Sequence, residues 1–254
     1  PFDNVELPAL PMGLKWLNNF YIDGSIEAYR PVVASPSAYQ SEDIKVNTTD
    51  TNNQNNGDIL ALNGSMYVLV FESPHYNGVD IYGQVIDKWG QKIGGETRLN
   101  NYTSGNQTKP IVSKLGDNEF MLIYESNINY MPYLYSEVWT WNGSHFQLKR
   151  NNSQAVSGSK YPTNYEMTTL ENGTVVLVFD SSSHGISGGS GQDIIIKHFN
   201  SSQSVLKSEF LAHSNSSGYQ YQPAITALSD GGYALAWYGG TGNKIWYRSY
   251  DASG

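Results

Sequence analysis

Four apolar runs along the chain share one pattern: Val68-Leu-Val-Phe-Glu-Ser73, Met121-Leu-Ile-Tyr-Glu-Ser126, Val176-Leu-Val-Phe-Asp-Ser181 and Ala234-Leu-Ala-Trp-Tyr-Gly239. Their aligned leucines, Leu69, Leu122, Leu177 and Leu235, lie 53, 55 and 58 residues apart. Leu62, Leu115, Leu170 and Leu228 each stand seven residues upstream of them. Between fall Asn63-Gly64, Gly116-Asp117-Asn118, Asn172-Gly173 and Asp230-Gly231-Gly232, residues that accept the positive φ of tight hairpin turns. The pattern predicts one hairpin, repeated four times.

A third strand follows each hairpin, at Ile81–Ile86, Leu134–Trp139, Ile194–Phe199 and Ile245–Tyr250. A weaker fourth reads Glu96–Asn100, Phe146–Lys149 and Ser208–Leu211, and the last unit stops at Gly254 without one. Four antiparallel strands in about 55 residues is the length of a propeller blade. The expected fold is all-β, a β-propeller of four-stranded antiparallel blades. A β-sandwich of the same meanders is the runner-up.

The blade count rests on the N-terminal stretch. Glu42-Asp-Ile-Lys-Val-Asn47 resembles a fourth strand, closing the last of four blades or ending a degenerate first blade within about residues 12–48. Trp16, Leu17, Phe20, Tyr21, Ile22, Ile26 and Tyr29 are many apolar groups to leave in water, which favours five blades. Residues 12–254 then form one propeller domain. Residues 1–11 carry Phe2, Val5, Leu7 and Leu10 between Pro1, Pro8 and Pro11, and prolines bias a segment to extended conformation. This stretch is read as an assembly arm, or as the closing strand of the last blade.

Composition narrows the setting. Lys+Arg number 15 against 23 Asp+Glu, for a net charge of −8, and no basic cluster suggests nucleic acid as a partner. No 18-residue apolar run predicts a membrane-spanning helix. Cysteine is absent, which removes disulfides, thiolate metal sites and Cys nucleophiles together. Beginning at Pro1 without a signal pattern, the sequence reads as a mature or trimmed chain. Asn-x-Ser/Thr sequons stand at Asn47, Asn63, Asn101, Asn106, Asn142, Asn151, Asn172, Asn200 and Asn215. That exceeds the roughly four that chance would give, and favours a secreted or cell-surface glycoprotein.

The units resemble the roughly 50-residue repeats of secreted, adhesin-like β-propeller proteins. The match is best over Pro223-Ala-Ile-Thr-Ala-Leu-Ser-Asp-Gly-Gly-Tyr-Ala-Leu-Ala-Trp237 and Ile245–Gly254, looser over residues 110–141, and hardly extends to residues 1–40. The resemblance implies blade architecture and says little about activity.

Candidate chemistry is sparse. Glu72, Glu125 and Asp180 recur at the same strand end, each followed by Ser, so pseudo-symmetry sets them on one rim. There they could hold Ca²⁺, bind a ligand or form an acid/base pair. The plainer reading is that each satisfies loop N–H groups of its own blade, and the fourth equivalent position is Tyr238. Tyr76, Tyr102, Tyr130, Tyr133, Tyr219 and Tyr221 could stack on sugar rings, or simply pack. The histidines show no zinc spacing, and no Gly-x-Ser-x-Gly elbow occurs. With no catalytic constellation in view, the expected function is non-enzymatic: a structural or adhesive subunit of a surface coat or filament, without cofactor, partnered by copies of itself, other surface glycoproteins or glycans. A lectin-like propeller and a propeller glycoside hydrolase or lyase are the alternatives.

Overall fold

The structure, a computed structural model, describes residues 43–48, 53–76, 78–128, 131–156, 161–189, 191–214 and 218–254. Fifteen strands and no helix occur among them. Blade 1 comprises β1 (Asn55–Ala61), β2 (Met66–His75), β3 (Gly78–Asp87) and β4 (Lys92–Arg98). Blade 2 comprises β5 (Asn106–Lys114), β6 (Glu119–Ile128), β7 (Met131–Trp141) and β8 (Phe146–Gln154). Blade 3 comprises β9 (Tyr165–Thr169), β10 (Val175–Ser181), β11 (Asp193–Phe199) and β12 (Val205–Leu211). Blade 4 has three strands, β13 (Gln220–Ala227), β14 (Tyr233–Gly239) and β15 (Lys244–Tyr250). Each sheet is an antiparallel meander in chain order, and the four sheets stand in a ring as a four-bladed propeller. The predicted hairpins close as expected: Leu62 N–H donates to Met66 O, Leu115 N–H to Glu119 O, Leu170 N–H to Thr174 O and Leu228 N–H to Gly232 O, at 2.8–2.9 Å.

The apolar runs of blades 2 and 3 are buried because both faces of those sheets are covered by a neighbouring blade. Along β6, Leu122 and Tyr124 enter the cluster shared with blade 1, whereas Met121 and Ile123 enter the cluster shared with blade 3. A third cluster joins Val176 and Val178 of blade 3 to Tyr233, Leu235 and Trp237 of blade 4. Period-two alternation therefore sorts side chains between two apolar interfaces rather than between core and water. The core is divided among the blade junctions.

Ile44–Thr48 corrects one expectation. These residues form no strand and pair with no blade through the backbone. Instead Thr48 N–H and Oγ1 donate to Glu96 Oε2 at 2.6 and 2.8 Å, and Lys92 Nζ donates to Asn47 O at 3.4 Å. The segment lies beside β4 through these contacts. The proposed fifth blade falls largely on residues 1–42, as do Phe2, Val5, Leu7 and Leu10, and these lie outside the described residues.

Candidate active site

The innermost strands β1, β5, β9 and β13 line a cavity of 710 Å³ at the ends where they begin. Strand pairing shows which residues are equivalent there. Val70, Ile123, Val178 and Ala236 hold the same place in the four second strands, and they pair with Asp58, Ile111, Glu166 and Ala224. Two of these four positions are carboxylates. They belong to blades 1 and 3, which face each other across the cavity instead of packing side by side.

The two acids differ in surroundings. Asp58 is fixed by two backbone donors, Ile59 N–H to Oδ1 and Val112 N–H to Oδ2, both at 2.8 Å. Glu166 is held less. Its side chain is exposed to the cavity, yet partial desolvation by the wall raises its carboxyl above the usual range, the negative charge of Asp58 adds to the rise, and the Ile225 N–H opposes it. Two titratable groups set apart by environment in this way are suited to acid and base roles.

The rim above them is shaped by bulges. Register slips between Asn55 and Asp58, Thr108 and Ile111, and Tyr221 and Ala224. Asn56, Lys109 and Gln222, at equivalent places in these slips, adopt left-handed φ of 44°, 52° and 52°. A bulge re-aims the backbone, and here it turns N–H groups toward the preceding blade. Lys109 N–H donates to Glu72 Oε1 at 2.6 Å, and Gln222 N–H donates to Asp180 Oδ2 at 3.0 Å.

The expected rim acids thus sit at equivalent strand ends, but are occupied. Glu72 also accepts from Asn56 Nδ2 at 2.7 Å. Glu125 pairs with Lys109 Nζ at 3.0 Å and accepts from Asn127 Nδ2 at 2.9 Å. Asp180 accepts from the Thr163 hydroxyl, from Asn164 N–H and Nδ2, and from Gln192 Nε2. All three are buried, and among the described residues no group of three or more His, Cys, Asp or Glu is placed to hold a metal ion. The bonds from Lys109 to Glu72 and from Gln222 to Asp180 fasten one blade to the next, whereas Glu125 is held within its own blade.

Sequence reasoning missed Asp58 and Glu166. A signal was present: each stands four residues before a register leucine, Leu62 and Leu170. The sequons divide by position. Asn63, Asn142 and Asn172 are exposed in turns on the face opposite the cavity, with half-buried Asn200 beside them. Asn101, Asn106 and Asn151 lie at the other side, where Asn101 Nδ2 donates to Asn151 Oδ1 at 2.6 Å. Asn47 lies against β4, and Asn215 lies outside the described residues. Among the tyrosines, Tyr76 and Tyr219 are exposed, Tyr102 stacks on Tyr135, Tyr221 packs near Tyr219, and Tyr130 lies outside the described residues.

No protein-family model and no curated protein matches the sequence. Solved structures do match. A protein of unknown function from Dyadobacter fermentans superposes with TM-score 0.56 at 9% identity, covering 83% of this chain and 69% of that one. An endo-arabinase from Bacteroides thetaiotaomicron gives 0.51 at 13% identity, covering 78% and 76%. The GH93 α-L-arabinofuranosidase of Fusarium graminearum, solved with arabinobiose, gives 0.50 at 10% identity, covering 76% and 61%. At such identities the likeness shows the fold, a β-propeller. It also corrects the expected function: the neighbours with a named activity are glycoside hydrolases and not adhesins, so the reading of a non-enzymatic coat or filament subunit is withdrawn.

Proposed function

We propose that this chain is a propeller glycoside hydrolase, with Glu166 as general acid and Asp58 as its carboxylate partner. The observation that carries this reading is the pair itself: two acids at equivalent innermost-strand positions of opposed blades, facing one cavity, with the carboxyl of Glu166 raised by partial desolvation and by Asp58. Glycoside hydrolysis needs one carboxyl that is still protonated when substrate binds and one that is ionised. Glu166 donates its proton to the glycosidic oxygen as the bond to the anomeric carbon breaks. Asp58, held by two N–H groups, takes the proton of a water whose oxygen bonds to the anomeric carbon, so that one proton leaves Glu166 and one arrives at Asp58. Lys109 is a positioning residue. Its Nζ joins Glu125, its N–H joins Glu72, and its carbonyl accepts from Tyr165 Oη at 2.6 Å, so it ties three blades beneath the cavity mouth.

The neighbours' substrates make arabinan the first polymer to test. Release of reducing ends from arabinan is expected, with loss of roughly 10²–10⁴-fold in Glu166→Gln and in Asp58→Asn while near-ultraviolet circular dichroism is unchanged. Activity should fall on the alkaline side as Glu166 loses its proton. Turnover retained in both variants would reject the assignment. The nine sequons support an extracellular, glycosylated enzyme with glycans as partner; sugars at Asn63, Asn142, Asn172 and Asn200 stand away from the cavity, whereas those at Asn101, Asn106 and Asn151 would border its side. Glycopeptide mass spectrometry of the native protein tests this.

A further inference from the structure

A smaller cavity of 260 Å³ lies in blade 4 at the junction with blade 3, and none of its lining residues belongs to the central cavity. It is lined by His213, Gln220, Trp237, Trp246, Tyr247 and Arg248. His213 is more than nine-tenths buried, and neither of its ring nitrogens makes a hydrogen bond within the protein. Its Nε2 stands 3.1 Å from Asp193 Oδ1. The other oxygen of Asp193 is already engaged by His184 Nε2 at 2.8 Å. Because His184 Nδ1 accepts from the Ile186 N–H at 3.0 Å, its ring proton sits on Nε2 and points at Asp193.

Blade 1 shows that the loose end at His213 is not required by the fold. Leu99 N–H donates to Ile81 O and Ala212 N–H donates to Ile194 O, so the next residues, Asn100 and His213, are equivalent. Asn100 is fully used: Nδ2 donates to Asp80 Oδ1 and Tyr102 O at 2.8 Å, and Oδ1 accepts from Ile81 N–H at 2.7 Å. In blade 3 the same place holds an imidazole with a nitrogen left over beside a cavity. A buried polar atom without a partner is costly, and a ligand able to reach it removes that cost.

The surrounding side chains define that ligand. Arg248 spends one N–H on Ala212 O at 3.2 Å and also engages Tyr250, which still leaves donors of its fork for an anion. Trp237 and Trp246 have their indole N–H groups satisfied by Gln220 Oε1 and Gly239 O, both at 2.9 Å, so they offer ring faces rather than donors. Tyr247 is mostly exposed at the margin. Aromatic faces suit the flat apolar side of a sugar, Arg suits a carboxylate, and an imidazole whose Nε2 faces Asp193 offers Nδ1 as acceptor for a sugar hydroxyl. The volume is slightly below the roughly 300 Å³ lower end of small-molecule sites, which fits one ring and not a chain. We infer that this pocket is a second glycan site, taking a single uronate residue with its carboxylate on Arg248 and a ring hydroxyl donating to His213 Nδ1. It stands independently of the hydrolase reading.

The test is titration of the whole protein with D-glucuronate, read by fluorescence of the lining tryptophans and by calorimetry, with D-glucose and acetate as controls. Binding is expected in the millimolar range, as ligand efficiency allows for so small a molecule. It should weaken about tenfold or more in Arg248→Gln and in His213→Phe, the size of one hydrogen bond. Glu166→Gln should leave it unchanged. Arg248 is exposed on β15, so Arg248→Gln reads the site without disturbing buried packing, whatever His213→Phe does to the fold. No signal up to ~50 mM glucuronate, far above the expected range, would overturn the inference. So would equal binding of glucose or acetate, or undiminished binding in folded Arg248→Gln.

Discussion

Glu166 contributes to stability with the opposite sign to its role in chemistry. A carboxyl raised in the folded state binds its proton more tightly there than in the unfolded chain. Stability is therefore full below the ordinary carboxylate range and declines as pH rises through the folded value. Glu166→Gln removes that decline, so the inactive variant should melt at or above the wild-type temperature at pH 7. A lower melting temperature at pH 7 but not at pH 4 would contradict this account. His198 works the other way. It is buried against Tyr233 Oη at 3.0 Å, and burial, with Lys207 adding to it, lowers its pKa to about 4. The unfolded chain takes a proton near pH 6.5 while the folded one resists until about 4, so stability is present above 6.5 and lost as pH falls through this window. The loss by pH 4 should be roughly 1–3 kcal/mol, at about 1.4 kcal/mol per unit. In His198→Gln the difference in melting temperature between pH 7 and pH 4 should shrink.

At the scale of elements, turn and strand-end glycines carry different burdens. Gly173 has φ of +83° in the β9–β10 turn, and a Cβ there would meet nothing. Gly239, at the end of β14 with φ of +143°, would place a Cβ 2.1 Å from Tyr219 O. Gly173→Ala should cost only the left-handed penalty, about 1–2 kcal/mol. Gly239→Ala should cost more, because the backbone of β13 must move. Chemical denaturation of the two variants would order them, and a smaller loss for Gly239→Ala would rule out the close approach as the reason for glycine. The hairpins themselves were legible because Asn-Gly and Asp-Gly turns act locally. The bulges at Asn56, Lys109 and Gln222 were not, since nothing in Asn55-Asn-Gly-Asp58 or Thr108-Lys-Pro-Ile111 announces an offset that only pairing with β2 or β6 reveals.

For the whole molecule, stability resides in the interfaces between blades. Leu177 is fully buried in the cluster joining blades 2 and 3, whereas Leu206, on β12, is 56% exposed. Leu177→Ala should cost about 2–5 kcal/mol and Leu206→Ser within about 0.5 kcal/mol. Because the sheets of blades 2 and 3 each serve two interfaces and so link all four blades, unfolding in Leu177→Ala should stay a single transition by fluorescence and circular dichroism. Separate transitions would show that the blades are stable one by one.

The sequence by itself determined the strands, their meander order, the repeat register and the propeller class, since these follow from period-two patterning and turn residues that act over a few positions. It also set Glu72, Glu125 and Asp180 at equivalent strand ends. Which acids are free for chemistry was decided by tertiary structure alone. The bulged rim turns backbone N–H groups of one blade onto Glu72 and Asp180 of the one before, and Lys109 reaches Glu125. Asp58 and Glu166, one turn of the pleat further in, are left facing the cavity from blades more than 100 residues apart in the chain. Local periodicity carries no information about which blades oppose one another across the axis, and it is that opposition which brings the charge of Asp58 to bear on Glu166.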